Sequence, residues 1–211
     1  MSKKEHYILM ADVVSSRSKD QKQLMEDFKT ITEVVNRKHS KKLKSPLTIT
    51  LGDEFQGIAK DVNAALQLIF SLDEEILLKG AGFKLRYVLM EGQIDTPIND
   101  KIAYGMLGEG LTNARKALQE AKLTKNRYHI ILKDNEMSKA LTNSLVIYQG
   151  LTDDWKVTRD RELLTEFLKE RDYKVVAEAL GKTRSQIWKR EKSLKINEYI
   201  ATKEVINYIT R

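Results

Sequence analysis

Two hydrophobic periods share the first two thirds of the chain, and only one persists beyond. Residues 6–14 form a near-continuous apolar run of strand length, as expected of a strand buried on both faces, with Asp12 near its carboxyl end. Ser15, Ser16 and Arg17 follow as a polar turn. Over residues 19–40, Leu24, Phe28, Ile31 and Val35 recur at spacings of four, three and four, which predicts one apolar stripe on a long charged helix. Residues 38–44 read as a basic loop, and Pro46 marks the entry to a hairpin over residues 47–59. A second amphipathic helix is expected over 61–79, with Val62, Leu66, Ile69, Leu72 and Ile76 on one side and Gly80-Ala81-Gly82 ending it. Residues 83–91 alternate as a strand, 95–101 form a loop around Pro97, and another helix opens near Gly110 or Thr112. A strand over 128–132, a short helix over 135–141 and a final strand over 145–148 complete this part.

The order is β-α-β-β-α-β, followed by two α-β pairs. It predicts an α+β domain of ferredoxin-like or palm type, a mostly antiparallel sheet with helices covering one face. After about Asp153 every pattern is helical, so we expect an α+β domain over 1–152 and a small all-α domain over 153–211, with the boundary between Thr152 and Arg159. A length of 211 residues suffices for both.

Composition narrows the classes. No apolar run approaches the roughly 20 residues a membrane-spanning helix needs. The absence of cysteine removes disulfides and thiolate metal sites and makes the cytoplasm the expected compartment. The net charge is +7, and residues 156–211 hold fourteen Lys/Arg against nine Asp/Glu, so most of the excess lies in the helical end. A basic end points to an anionic partner, nucleic acid before membrane.

Candidate chemistry centres on the hairpin LTITLGDEFQG, whose tip carries Asp53 and Glu54, and on Asp12 in the first strand. Asp53 and Glu54 are good turn residues in their own right. Asp12 is harder to explain that way, because a carboxylate in an apolar strand is costly unless paired or liganded. Carboxylates on neighbouring strands suit Mg²⁺ or Mn²⁺, hard ions that bind through one or two carboxylates plus phosphate oxygens. His6, His39 and His129 show no ligand or triad spacing, and Met10, Met25, Met90 and Met106 read as core filling.

ADVVSS followed by LGDEFQG resembles the metal-binding signature of the class III nucleotide cyclases and their GGDEF relatives. The layout over roughly residues 5–150 is still more similar to the bacterial SatD family, with its first-strand Asp-Val/Ile-Val-x-Ser-Arg and GDEFQG hairpin. The resemblance implies a nucleotide-cyclase-like fold and a nucleoside triphosphate ligand. It makes Asp12 and Asp53 metal ligands, with Glu54 as an alternative, and offers the backbone of Val13, Val14, Ser15 and Ser16 to phosphates. In class III cyclases a helix after a glycine-led turn bears an Asn and, four residues on, an Arg. Here Asn113 and Arg115 are two apart, roughly 200° around a helix. Aligning Arg115 puts Leu111 at the Asn position, and aligning Asn113 puts Ala117 at the Arg position. That departure speaks against cyclisation. Arg115, and Arg86 on the preceding strand, remain phosphate contacts to consider.

Over residues 173–196, Ala177 and Gly181 lie four apart, with Val176, Leu180 and Ile187 at flanking apolar positions, the pattern of a helix-turn-helix. Thr183 would cap the second helix, which carries Arg184, Ser185, Gln186, Lys189 and Arg190 toward DNA. Ile187 and Trp188 cannot both face one core. The expectation is a DNA-binding regulator, as a homodimer, with a metal- and nucleotide-binding sensor domain. The alternative is an active nucleotidyl-transfer enzyme or nucleotide cyclase.

Overall fold

A computed structural model of the chain describes residues 4–16 and 20–211. Arg17 of the expected polar turn, and residue 19, where the first helix was expected to open, lie outside the described residues. Five strands and eight α-helices are present among the described residues. They are β1 (Glu5–Val13), α1 (Gln21–Lys38), β2 (Leu43–Leu51), β3 (Glu54–Ala59), α2 (Val62–Lys79), β4 (Leu85–Gln93), α3 (Glu109–Ala121), β5 (Tyr128–Ile131), α4 (Asn135–Asp153), α5 (Val157–Lys169), α6 (Tyr173–Ala179), α7 (Arg184–Ser193) and α8 (Ile196–Ile209). None of these helices is long and apolar enough to cross a membrane.

The strands form one sheet in the order β2-β3-β1-β4-β5. β1 lies at its centre, antiparallel to β3 and β4, and β5 joins β4 in parallel. The first six elements thus close as the expected split βαβ unit. Residues Leu9, Ala11 and Val13 of β1 face a core built with α1, α2 and α4, where Phe28, Phe55 and Phe83 pack ring to ring. The intervening Ile8 and Met10 face a second core under α3, closed by Ile94, Ala103 and Met106. Helices therefore cover both faces, not one. A strand that is apolar at nearly every position needs two apolar partners, and the continuous run in β1 is the sequence mark of that.

α3 can lie this close because Gly92 of β4 and Gly110 meet backbone to backbone. A Cβ on Gly110 would stand 2.7 Å from the Gly92 carbonyl carbon, and one on Gly92 would stand 2.6 Å from Gly110 Cα. Two further expectations change. The final strand over 145–148 is the middle of α4, where Leu141, Leu145, Tyr148 and Leu151 are buried at helical spacing. The strand begins at Leu43 rather than after a basic loop, and Pro46 lies inside it. Proline is tolerated there because β2 is an edge strand whose register shifts between Ser45 and Thr48. Asn36 of α1 pairs with that edge, exchanging hydrogen bonds of 2.8 Å with both the N–H and the carbonyl of Leu47.

Beyond α4, helices α5, α6 and α7 share a small core of Leu163, Leu164, Phe167, Val176, Ala177 and Ile187, which Leu77 of α2 joins. The turn between α6 and α7 takes Gly181 to φ 61°, with Lys182 N–H donating to Ala177 O at 2.9 Å, a Schellman closure. α8 then returns to the sheet's core, where it buries Tyr199 and Ile206.

Candidate functional site

Strand register sets the floor of the site. Asp12 is paired across the sheet with Glu54 on one side and Arg86 on the other, so three charged side chains form a row on the α3 face. Opposed carboxylates repel each other at cross-strand distance unless cations intervene. Arg86 Nη1 donates to Asp12 Oδ1 and Oδ2, each at 3.1 Å. α3 brings the other cations, since Arg115, Gln119 and Lys122 follow one another at spacings of four and three and share a stripe. Lys122 Nζ lies 3.3 Å from Asp12 Oδ2 and 3.9 Å from Glu54 Oε1. Arg115 Nη1 reaches Glu54 Oε2 at 3.4 Å.

Asp12 is 3% exposed and Glu54 5%. Burial pushes the Asp12 carboxyl above its usual range, and Arg86 and Lys122 pull it the other way without cancelling the effect. Arg86 Nε, also buried, has no acceptor among the described residues. The floor thus holds three cations against two carboxylates, with a donor to spare.

An open cleft of about 790 Å³ stands over this floor. Asp53 lines it from the hairpin tip, and Ser15 (φ 57°) and Ser16 line it from the turn after β1. Leu24, Met25 and Leu51 make an apolar rim, with Met25 52% and Leu51 55% exposed. Met25 is therefore surface, whereas Met10, Met90 and Met106 are core as expected.

The predicted residues divide accordingly. Asp12, Asp53, Glu54, Arg86 and Arg115 come together. The N–H groups of Val13 and Val14 are engaged by Asp53 O and Lys84 O, at 3.0 and 2.9 Å, so these two amides do not face a ligand. Asn113 is exposed, its side chain near Glu109 at 3.4 Å, on the other side of the helix from Arg115. Lys122 and the apolar rim were missed. The only trace of Lys122 in the sequence is its place seven residues after Arg115.

The donor set was tested against Mg²⁺ or Mn²⁺. Its ligands would be oxygen only, which suits a hard cation. Among the described residues, however, no three acidic or histidine side chains are grouped to hold a metal, and Asp12 and Glu54 already face cations. The residues do not fit a cation held by protein alone.

At the other end, Thr183 and Gln186 form a capping box, with the Gln186 N–H donating to Thr183 Oγ1 at 3.3 Å and the Thr183 N–H to Gln186 Oε1 at 3.1 Å. Arg190 Nη2 donates to Asp160 Oδ1 at 2.5 Å, and Arg184 Nη2 to Glu178 Oε1 at 3.2 Å. Ser185 and Lys189 are exposed. Ile187 is buried and Trp188 is 46% exposed, as their adjacency required.

A split-βαβ sheet with helices on both faces and a charged cleft at the end of its central strand defines a palm-like α+β protein. Residues 7–209 match the SatD family, and the chain belongs to it. The match runs through the helical end as well as the sheet. Among solved structures, the chain is similar to the guanylyl cyclase Cya2, at 10% identity over 56% of this chain and 71% of that one, with a TM-score of 0.40. It is also similar to the adenylyl cyclase CyaB from P. aeruginosa, at 10% identity over 69% of this chain and 83% of that one, with a TM-score of 0.43. A search of curated proteins finds no match.

Proposed function

We propose that this SatD-family protein binds a nucleoside phosphate in the cleft over Asp12 and acts as a nucleotide-responsive, DNA-binding regulator. The observation that carries the reading is Asp12 held between Arg86 and Lys122 on a floor with an excess of cations. Arg and Lys are the side chains that bind phosphate, and Arg86 Nε still has a hydrogen bond to give. The apolar rim of Leu24, Met25 and Leu51 suits the flat face of a base. A divalent cation arriving with the phosphates would meet Asp12 and Asp53 and screen the phosphate charge. It would come as the nucleotide's companion, because the carboxylates are already matched by cations. Asn113, turned away toward Glu109, leaves α3 without the residue pair that cyclisation uses, which favours binding over turnover. For DNA, the support is the exposed face of α7, where Arg184, Lys189 and Lys192 stand clear of the buried Ile187 and Glu191.

The test is calorimetric titration of each common nucleoside triphosphate, with Mn²⁺ and with a chelator, alongside an assay for conversion. Lys122→Ala is expected to weaken binding about tenfold in both conditions, since a charge-assisted contact contributes on the order of 1.5–3 kcal/mol. Asp12→Asn is expected to weaken it only when Mn²⁺ is present. Unchanged affinity in Lys122→Ala would sink the phosphate site. Conversion that disappears in Asp12→Asn would make the protein an enzyme instead.

A further inference from the structure

Away from the cleft, the sheet's helical layer and the last four helices enclose two adjoining cavities, of about 70 and 300 Å³, that share Glu74, Trp155 and Tyr199 as walls. The smaller one reaches in between α2 and α4 to Tyr148 and Arg127, and the larger opens between α5 and α8. Their surfaces are aromatic. Tyr148 and Tyr199 have ring centroids 5.6 Å apart, and Trp155 and Tyr199 4.9 Å.

Two polar atoms in the inner cavity's walls are without partners. Tyr148 is 0% exposed, and its hydroxyl makes no hydrogen bond among the described residues; Arg127 Nε is likewise buried and unsatisfied. Buried polar atoms of this kind are rare in native proteins, and each needs an explanation. Every other polar group here is engaged. Arg127 is held by Leu85 O and Asp153, Tyr199 Oη donates to Glu74 Oε1 at 2.7 Å, and Lys203 pairs with Glu74. The charges around the inner space balance, with Asp73, Glu74 and Asp153 against Lys84, Arg127 and Lys203.

We infer that this seam is a binding site for a small, uncharged, planar ring compound carrying a hydrogen-bond acceptor. The size agrees, since an apolar cavity of roughly 150 Å³ takes up benzene. Aromatic walls favour a ring. Charge balance excludes a preference for an ion, and the two orphaned atoms call for one acceptor between them. Small-molecule sites with an apolar wall and a few convergent polar groups gather at junctions of this kind. This site is independent of the nucleotide cleft, which opens beside α3 on the opposite face of the sheet.

The chain's two tryptophans make the test direct. Trp188 is on the surface, so Trp188→Phe in the full chain leaves Trp155, in the cavity wall, as sole reporter. Phenol is the probe, with benzoate as the charged comparison. Phenol should change Trp155 emission saturably and raise Tm, and benzoate should bind more weakly. Adding Tyr148→Phe keeps the ring and removes the unpartnered hydroxyl. It should weaken phenol binding about five- to tenfold, the worth of one hydrogen bond. A linear, non-saturating response to phenol would overturn the assignment, as would saturable binding with the same affinity in Tyr148→Phe, which would place phenol elsewhere.

Discussion

Asp160 shows how much one buried carboxylate can organise. It sits in the first turn of α5, wholly buried, and accepts from Arg159 Nε at 2.8 Å, Arg190 Nη2 at 2.5 Å and the Lys156 N–H at 2.9 Å. One side chain thus closes the start of α5 and fastens α7 to it. The hydrogen bond from Arg159 holds its carboxyl below the usual range, although burial opposes this. A carboxyl depressed in the folded state contributes stability that is complete above its unfolded value, near 3.9, and is lost as pH falls through its folded value. Asp160→Asn is therefore expected to destabilise the protein by about 2–3 kcal/mol at neutral pH. The deficit should shrink as both proteins are taken below pH 4, as followed by urea unfolding. A deficit independent of pH would mean that packing, not charge, is what Asp160 supplies. Asp12 is the contrasting case, since its cost in an apolar strand marked it in the sequence. Arg86 could be named because it lies on the next strand. Lys122 could not, because nothing local says that the end of α3 lies over β1.

At the scale of elements, what could be read was whatever one period decided. The order of the first six elements followed from apolar runs bounded by turn residues, and the register that aligns Asp12, Glu54 and Arg86 followed from it. The stretch over 145–148 failed because a short apolar run fits either period. Only the wider spacing of Leu141, Leu145, Tyr148 and Leu151 identifies the helix. The second face of the sheet was missed for a different reason. Its cover depends on a glycine pair, Gly92 and Gly110, whose meeting is tertiary. In α7 the helix start was legible from Thr183, but the division of labour was not. Thr183 and Gln186 are occupied by the capping box and Arg190 by Asp160, which leaves Arg184 and Lys189 as the cations to test. If α7 meets DNA, Arg184→Ala with Lys189→Ala should weaken binding and lower the slope of log K against log salt by about 2. Filter binding or anisotropy over a salt series measures this, and an unchanged slope would leave α7 a purely structural helix.

Across the whole molecule, the composition break near Asp153 does not coincide with a break in the core. α8 runs back along α2, with Thr210 near Asn63 at 2.9 Å, Asn207 near Gln67 at 2.5 Å, and Tyr199 and Lys203 on Glu74. Tyr199 also packs on Tyr148 of α4, and Ile206 is fully buried in the sheet's principal core. Each large side chain buried this way contributes about 1.5–3 kcal/mol, so Tyr199 and Ile206 together supply roughly 3–6 kcal/mol. That is a large part of the 5–15 kcal/mol by which a typical domain is stable. Residues 1–152 expressed alone are therefore expected to melt about 10–20 °C below the full chain, or to show no cooperative transition at all. The full chain should melt in a single step, because α8 ties the helices before it to the sheet. Calorimetry of both proteins decides the matter. Equal melting temperatures would mean that α8 rests on the sheet without supporting it. A two-step melt of the full chain would mean that α5–α7 is an autonomous unit. A lowered, single transition makes sheet and helices one folding unit, in which anything that loosens the seam at Trp155 and Tyr199 is felt at α7.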